Sequence, residues 1–155
     1  MGPILAAVDF SDATRGVVNT AMDLARALQV KLYLLHVAGA RPTPTPNPEL
    51  VDYGVNPQLD RQLMAKEFRQ EHRELQKLAG ESKAASLDVT SLLIQGSSGE
   101  KILQEARRLD AGMIVMGTHG HSRLYDLLMG SVSREVLQNA PCPVVMVPYQ
   151  VKTLG

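Results

Sequence analysis

The sequence predicts a doubly wound α/β fold, and three observations carry that prediction. Short apolar runs recur along the 155-residue chain, and stretches with apolar residues three and four apart lie between them. The fourth run ends in a glycine-rich turn, Gly117-Thr-His-Gly120, with Gly130-Ser131 beyond it. Strands that alternate with helices make a parallel sheet through right-handed crossovers. Both faces of such a sheet are covered, so its strands read as continuous apolar runs.

Ile4-Leu-Ala-Ala-Val8 is the first strand, a run without a polar residue. Asp9 ends it. Ser11 or Asp12 is placed to cap the first helix, along which Val17, Val18, Ala21, Leu24, Ala25 and Leu28 form one apolar stripe over about five turns. Val30 to Val37 is the second strand, rich in β-forming residues. Pro42, Pro44, Pro46, Pro48 and Pro57 then mark an extended Pro-rich loop over 38–57. Leu59 to Ala79 is the second helix, with Leu59, Leu63, Phe68, Leu75 and Leu78 inward and charges toward water. Leu87 to Ile94 is the third strand, Gly96-Ser-Ser-Gly99 turns the chain, and Ile102, Leu103, Ala106 and Leu109 mark the third helix. Met113 to Met116 is the fourth strand. Val132, Val136, Leu137 and Ala140 line a fourth helix that starts near Ser131, and Val144 to Val147 is the fifth strand.

Ligands of such sheets bind outside the carboxyl ends of the strands, where the strand order reverses. The glycine-rich turn sits at a strand end. Glycine can take φ > 0, and its N–H approaches an anion with no Cβ in the way. A helix starting near Ser131 adds free N–H groups and the positive end of its dipole. Glycines at a strand end also serve as plain turns. The strand before, the helix after and the closing Ala140-Pro-Cys-Pro-Val-Val-Met-Val-Pro148 favour a phosphate cradle. It is neither a Walker loop nor a dinucleotide fingerprint, because Gly-x4-Gly-Lys-Ser/Thr and Gly-x-Gly-x-x-Gly are both missing. Gly96-Ser-Ser-Gly-Glu-Lys101 lacks the Walker spacing too and reads as a turn and cap.

Ile114-Val-Met-Gly-Thr-His-Gly120, Gly130-Ser-Val132 and Ala140-Pro-Cys-Pro143 resemble the universal stress protein family, whose nucleotide-binding branch carries Gly-x2-Gly-x9-Gly-Ser/Thr. The resemblance runs from Ile4 to Pro148. It implies one domain over 1–155, a five-stranded parallel sheet in the order 3-2-1-4-5, and a Rossmann-like fold of the adenine-nucleotide α-hydrolase kind. It also implies ATP as ligand, with or without Mg²⁺, and a homodimer formed partly through the last strand. The reversal of strand order then falls between strands one and four, so that Asp9 and Gly117 converge on one crevice. By the same resemblance Asp9 binds the ribose and adenine end, Val37 lines the adenine pocket and Met116 lies near the base. Gly117, Gly120 and Gly130 offer N–H groups to phosphates, Ser131 its hydroxyl and N–H, and Val132 a further amide. Two positions depart from the pattern: Gly112, where many members have Asp, and Arg123, where a small residue such as Gly is usual.

Chemistry alone keeps alternatives open at several of these residues. Asp9 is also placed as a helix cap. His119 and His121 can contact phosphate or lie exposed; two histidines without carboxylate or thiolate company do not make a zinc site, so no metal site is expected. Arg123 either pairs with phosphate through its planar fork or stays solvated. His36, inside a strand, is expected to be packed or hydrogen-bonded, and His72 to be exposed. No Ser-His-Asp order or pair of poised carboxylates stands out, so no dedicated catalytic residues are expected.

Lys plus Arg and Asp plus Glu number 16 each, so no global field draws the chain to nucleic acid or to an anionic membrane. The single Cys142 cannot form an internal disulfide and is expected to serve packing. The start lacks a basic segment followed by a long apolar run, and no apolar stretch reaches 18 residues, which leads to the expectation of a cytoplasmic protein. The function expected is an ATP-binding regulatory or signalling module of the stress response. A slow ATP hydrolase or nucleotidyl-transferring enzyme is the alternative, but its relatives carry Ser-Gly-Gly-x-Asp-Ser where this chain has Asp9-Phe-Ser-Asp-Ala-Thr14. A dimeric interaction module with a vestigial site is the third.

Overall fold

The computed structural model describes residues 1–39, 57–118 and 130–148, with 57–60 as backbone alone. The elements are β1 Ile4–Ala7, α1 Thr14–Leu28, β2 Leu32–Gly39, α2 Pro57–Ala84, β3 Val89–Gly96, α3 Ser98–Arg108, β4 Met113–Gly117, α4 Ser131–Asn139 and β5 Val144–Val147. All strand pairs are parallel, in the order β3-β2-β1-β4-β5, as the sequence led us to expect.

Alternation along β1 sorts its side chains between two layers. Ile4 and Ala6 join Val17, Val18, Ala21 and Ala25 of α1 and Leu75, Leu78 and Ala79 of α2 on one face. Leu5 joins Leu35, Ile114 and Met116 with Ile102, Leu103 and Ala106 of α3 and Val136 of α4 on the other. Gly112 belongs to this frame: a Cβ there would lie 2.7 Å from Gly2 O, and its N–H bonds Pro3 O at 2.8 Å. The chain ahead of β1 leaves no room for a side chain at that position.

Several expectations are corrected. Neither Ser11 nor Asp12 caps α1: the N-cap is Ala13, no side chain bonds it, and the Ser11 carbonyl instead accepts the Thr14 N–H at 3.0 Å. The helix therefore runs 15 residues, about four turns rather than five. β2 starts at Leu32 because Gln29 takes a left-handed φ of 54° and Val30 N–H closes α1 on Ala25 O. Ala38 and Gly39 extend β2 and so leave the predicted Pro-rich loop, whose residues 40–56 lie outside the described ones. Leu63 is 44% exposed, because among the α2 residues whose side chains are described burial begins only at Leu75. Leu28 and Leu137 also face water: Leu28 ends α1, and Leu137 is turned about 100° from Val136, which takes the core position. Leu59 lies where only backbone is described.

Candidate functional site

The ends of β1 and β4 lie side by side where the strand order reverses, and a cleft of about 510 Å³ opens there, within the range of small-molecule sites. Asp9, Val37, Met116, Gly117, Gly130, Ser131 and Val132 all line it. His119 and Gly120, with His121 and Arg123, lie outside the described residues.

Asp9 reaches the cleft because the chain reverses sharply after β1. Its Oδ1 accepts the Ser11 N–H at 3.0 Å rather than capping α1. Phe10 takes a left-handed φ of 59°, which costs a non-glycine residue about 1–2 kcal/mol. The Phe10 ring rests on His36 with centroids 4.4 Å apart. His36 is buried, with Nδ1 2.8 Å from Val8 O. A carbonyl only accepts, so Nδ1 carries the proton of that bond. Nε2 lies 3.4 Å from the Glu71 carboxylate of α2 and makes no hydrogen bond among the described residues. His36 is thus hydrogen-bonded, as expected of it.

On the other side, the Gly130 N–H bonds Thr118 O at 3.2 Å, and the buried Ser133 hydroxyl is shared between Gly117 O at 3.0 Å and Thr118 O at 3.2 Å. Ser133 therefore clamps the end of β4 to the first turn of α4. Ser133→Ala is expected to cost about 1–2 kcal/mol, a fall in Tm of roughly 2–8 °C, because Gly117 O loses the hydroxyl and Thr118 O keeps only the Gly130 N–H. Thermal unfolding by circular dichroism checks this; a variant that melts with the parent would show the clamp to be idle.

Gly130 is the N-cap of α4 with φ −56°, so the positive φ expected of a cradle glycine is not used there. What glycine supplies is a missing Cβ. Among the described residues, one built at Gly130 would meet nothing nearer than Thr118 O at 3.9 Å.

The N-termini of α1, α3 and α4 all reach the cleft, through Ala13 and Thr14, Ser98, and Gly130 and Ser131. Their surroundings differ. α3 has Glu100 in its first turn, and the Glu135 carboxylate packs on Gly99. The first turns of α1 and α4 hold no acidic residue, and neither N-cap makes a side-chain hydrogen bond. The first turns of these two helices thus face the cleft without an acidic residue, and the acids nearest α1 are Asp9 and Asp12, ahead of its N-cap. No Lys or Arg occurs among the described lining residues, so an anion would meet backbone N–H groups on these walls. Leu35, Val37, Ile102 and Met116 give the cleft an apolar side.

Ala13, Thr14, Ile102, Glu71, Ser98 and Ser133 line the cleft and were not foreseen from sequence. Ser133 follows the motif by two residues and was the legible one. Thr14 and Ser98 reach the cleft only because three helices begin at the same end of the sheet. Cys142 is half-buried against the α3–α4 layer, and burial pushes its thiol up, in keeping with a packing role. Among the described residues, no group of three or more His, Cys, Asp or Glu could hold a metal, and no helix is long and apolar enough to cross a membrane.

A family model described as the universal stress protein family matches residues 1–148. Universal stress protein YxiE of Bacillus subtilis is 28% identical over 145 residues, which cover 93% of this chain and 97% of that protein. Among solved structures, that of MJ0577 of Methanocaldococcus jannaschii matches with a TM-score of 0.79 at 22% identity, covering 97% of this chain and 98% of the other. A universal stress protein from Archaeoglobus fulgidus, solved in complex with dAMP, matches with a TM-score of 0.63 at 24% identity, covering 95% and 98%. At these identities the structural likeness concerns the fold.

Proposed function

This chain belongs to the universal stress protein family, and from that premise we propose that it binds ATP, alone or with Mg²⁺, as a regulatory module of the cytoplasm. The observation that carries the proposal is the pair of helix N-termini, α1 and α4, that face one cleft with no acidic residue in either first turn. A family relative of the same fold holds dAMP, an adenine nucleotide.

The lining fits such a ligand in parts. Val37, Met116 and Leu35 form an apolar wall for the base, and the Asp9 carboxylate can accept from ribose hydroxyls or the adenine amino group. The amides of Gly117, Gly130, Ser131 and Val132 meet the phosphates, with His119 and Gly120 completing the cradle. Bound Mg²⁺ would offset part of the triphosphate charge. Occupancy regulates only if ATP binds one conformation or partner complex more tightly than another. The natural second state is a homodimer through β5: this strand is the edge of the sheet, and Val144–Val147 are only half-buried.

Calorimetric titration of nucleotide-stripped protein with ATP and Mg²⁺ tests the ligand. Saturable binding near one ATP per chain is the expected result; no heat and no shift in Tm at millimolar ATP would overturn it. Light scattering that returned only monomer at micromolar concentration would overturn the dimer.

A further inference from the structure

We infer that the Thr14 hydroxyl, at the first turn of α1, is a second anchor for the phosphates of the bound nucleotide, an assignment that rests on the nucleotide reading of the cleft. Thr14 lines the cleft and is 8% exposed, yet its Oγ1 finds no hydrogen-bond partner among the described residues. A buried hydroxyl without a partner is costly, and such groups in a folded protein ask for a ligand or a bound water.

The surroundings favour an anionic ligand group. Thr14 is the first residue of a 15-residue helix whose N-cap, Ala13, has no side chain to bond the first turn, and which has no acidic residue there. Ala13, Thr14 and Val17, spaced along one face of that turn, all line the cleft. The one basic side chain of the turn, Arg15, is held away by Glu81 at 2.6 Å. The N-termini of α1 and α4 pack on opposite faces of the sheet and flank the ends of β1 and β4. A phosphate chain lying between them is contacted by the glycine amides on the α4 side and by Thr14 on the α1 side. The hydroxyl donates to a phosphate oxygen at the positive end of the dipole.

The test uses Thr14→Val, which keeps the shape and removes the hydroxyl, and Thr14→Ser, which keeps the hydroxyl. The expected result is a Kd for ATP raised about tenfold in Thr14→Val and recovered in Thr14→Ser, with the Tm of the nucleotide-free Thr14→Val protein unchanged or higher. Adenosine, without phosphate, should bind parent and Thr14→Val alike. Equal ATP affinity of the parent and Thr14→Val would overturn the assignment while leaving ATP binding in place. A penalty as large for adenosine would overturn it in favour of a sugar or base contact. A lowered Tm of nucleotide-free Thr14→Val would show that the hydroxyl serves the fold. A parent that binds no nucleotide at all would overturn the underlying reading, and this assignment with it.

Discussion

Replacing Gly130 by valine is expected to leave the fold standing and to abolish measurable ATP binding. The two halves of this expectation have separate causes. Gly130 has φ −56° and ψ 155°, a backbone conformation that side-chain-bearing residues adopt freely, so no strain follows from losing glycine. The nearest described atom to an added Cβ is Thr118 O at 3.9 Å, an ordinary contact distance, so Gly130→Ala should unfold within about 0.5 kcal/mol of the parent. The space into which the side chain grows belongs to the cleft, where Ser131 and Val132 begin α4 and the dipole is positive. A methyl group there holds a phosphate away from the amides, and two more methyl carbons fill the place of its oxygens. The loss is expected to be graded, roughly tenfold in affinity for alanine and a hundredfold or more for valine, on the order of 1.4 and 3 kcal/mol. Titration calorimetry with circular dichroism on each variant separates the two effects. If Gly130→Val bound ATP as the parent does, the phosphates would lie elsewhere. If Gly130→Ala failed to fold, the glycine would be a structural requirement after all.

β1 and β4 were legible because nothing polar interrupts them: Ile4 to Val8 and Met113 to Met116 read as runs buried on both faces. The stripe Val17, Val18, Ala21 and Ala25 was legible for a related reason, since its period matches the helix and it faces one layer of the sheet. Element ends were less so. Val30 looks like strand, yet its N–H is claimed by the closing turn of α1, a backbone bond that no side chain announces. Leu63 and Leu137 fit the helical period, but whether a position on that period meets a sheet depends on where the helix leaves it. The same division holds at the site. Gly130-Ser131-Val132 was readable as a motif because its residues are adjacent in the chain, and Asp9 because it ends a strand. Thr14, Ser98 and Glu71 come to the cleft from three different helices, which only the packed layers bring together. At Gly130 the sequence offered two uses of glycine, a positive φ and a missing Cβ, and the φ of −56° leaves only the second open.

Leu5→Ala is expected to give the largest loss of stability of any single change considered for this protein. Leu5 is fully buried at the centre of the central strand, registered against Tyr33 of β2 and Ile114 of β4. Its side chain enters the layer of Ile102, Leu103, Ala106 and Val136, between α3, α4 and the sheet. Removing three carbons there loses their transfer free energy and leaves a cavity, because strands fixed on both sides cannot close in on the gap. The cost is about 2–5 kcal/mol, a large share of the 5–15 kcal/mol that holds a typical domain together. For a chain of this size the fall in Tm is on the order of 10 °C. Leu63→Ala, at a position 44% exposed on α2, removes the same carbons and should change stability by no more than about 0.5 kcal/mol. Urea unfolding of the two variants decides the matter: equal midpoints would mean that Leu5 does not face the α3–α4 layer. Because Asp9 lies four residues along the same chain segment, Leu5 also supports the strand end from which the cleft is built. Leu5→Ala assayed well below its Tm should nonetheless bind ATP within a fewfold of the parent, since the proposed site lies at the ends of the strands and the lost carbons lie beneath them.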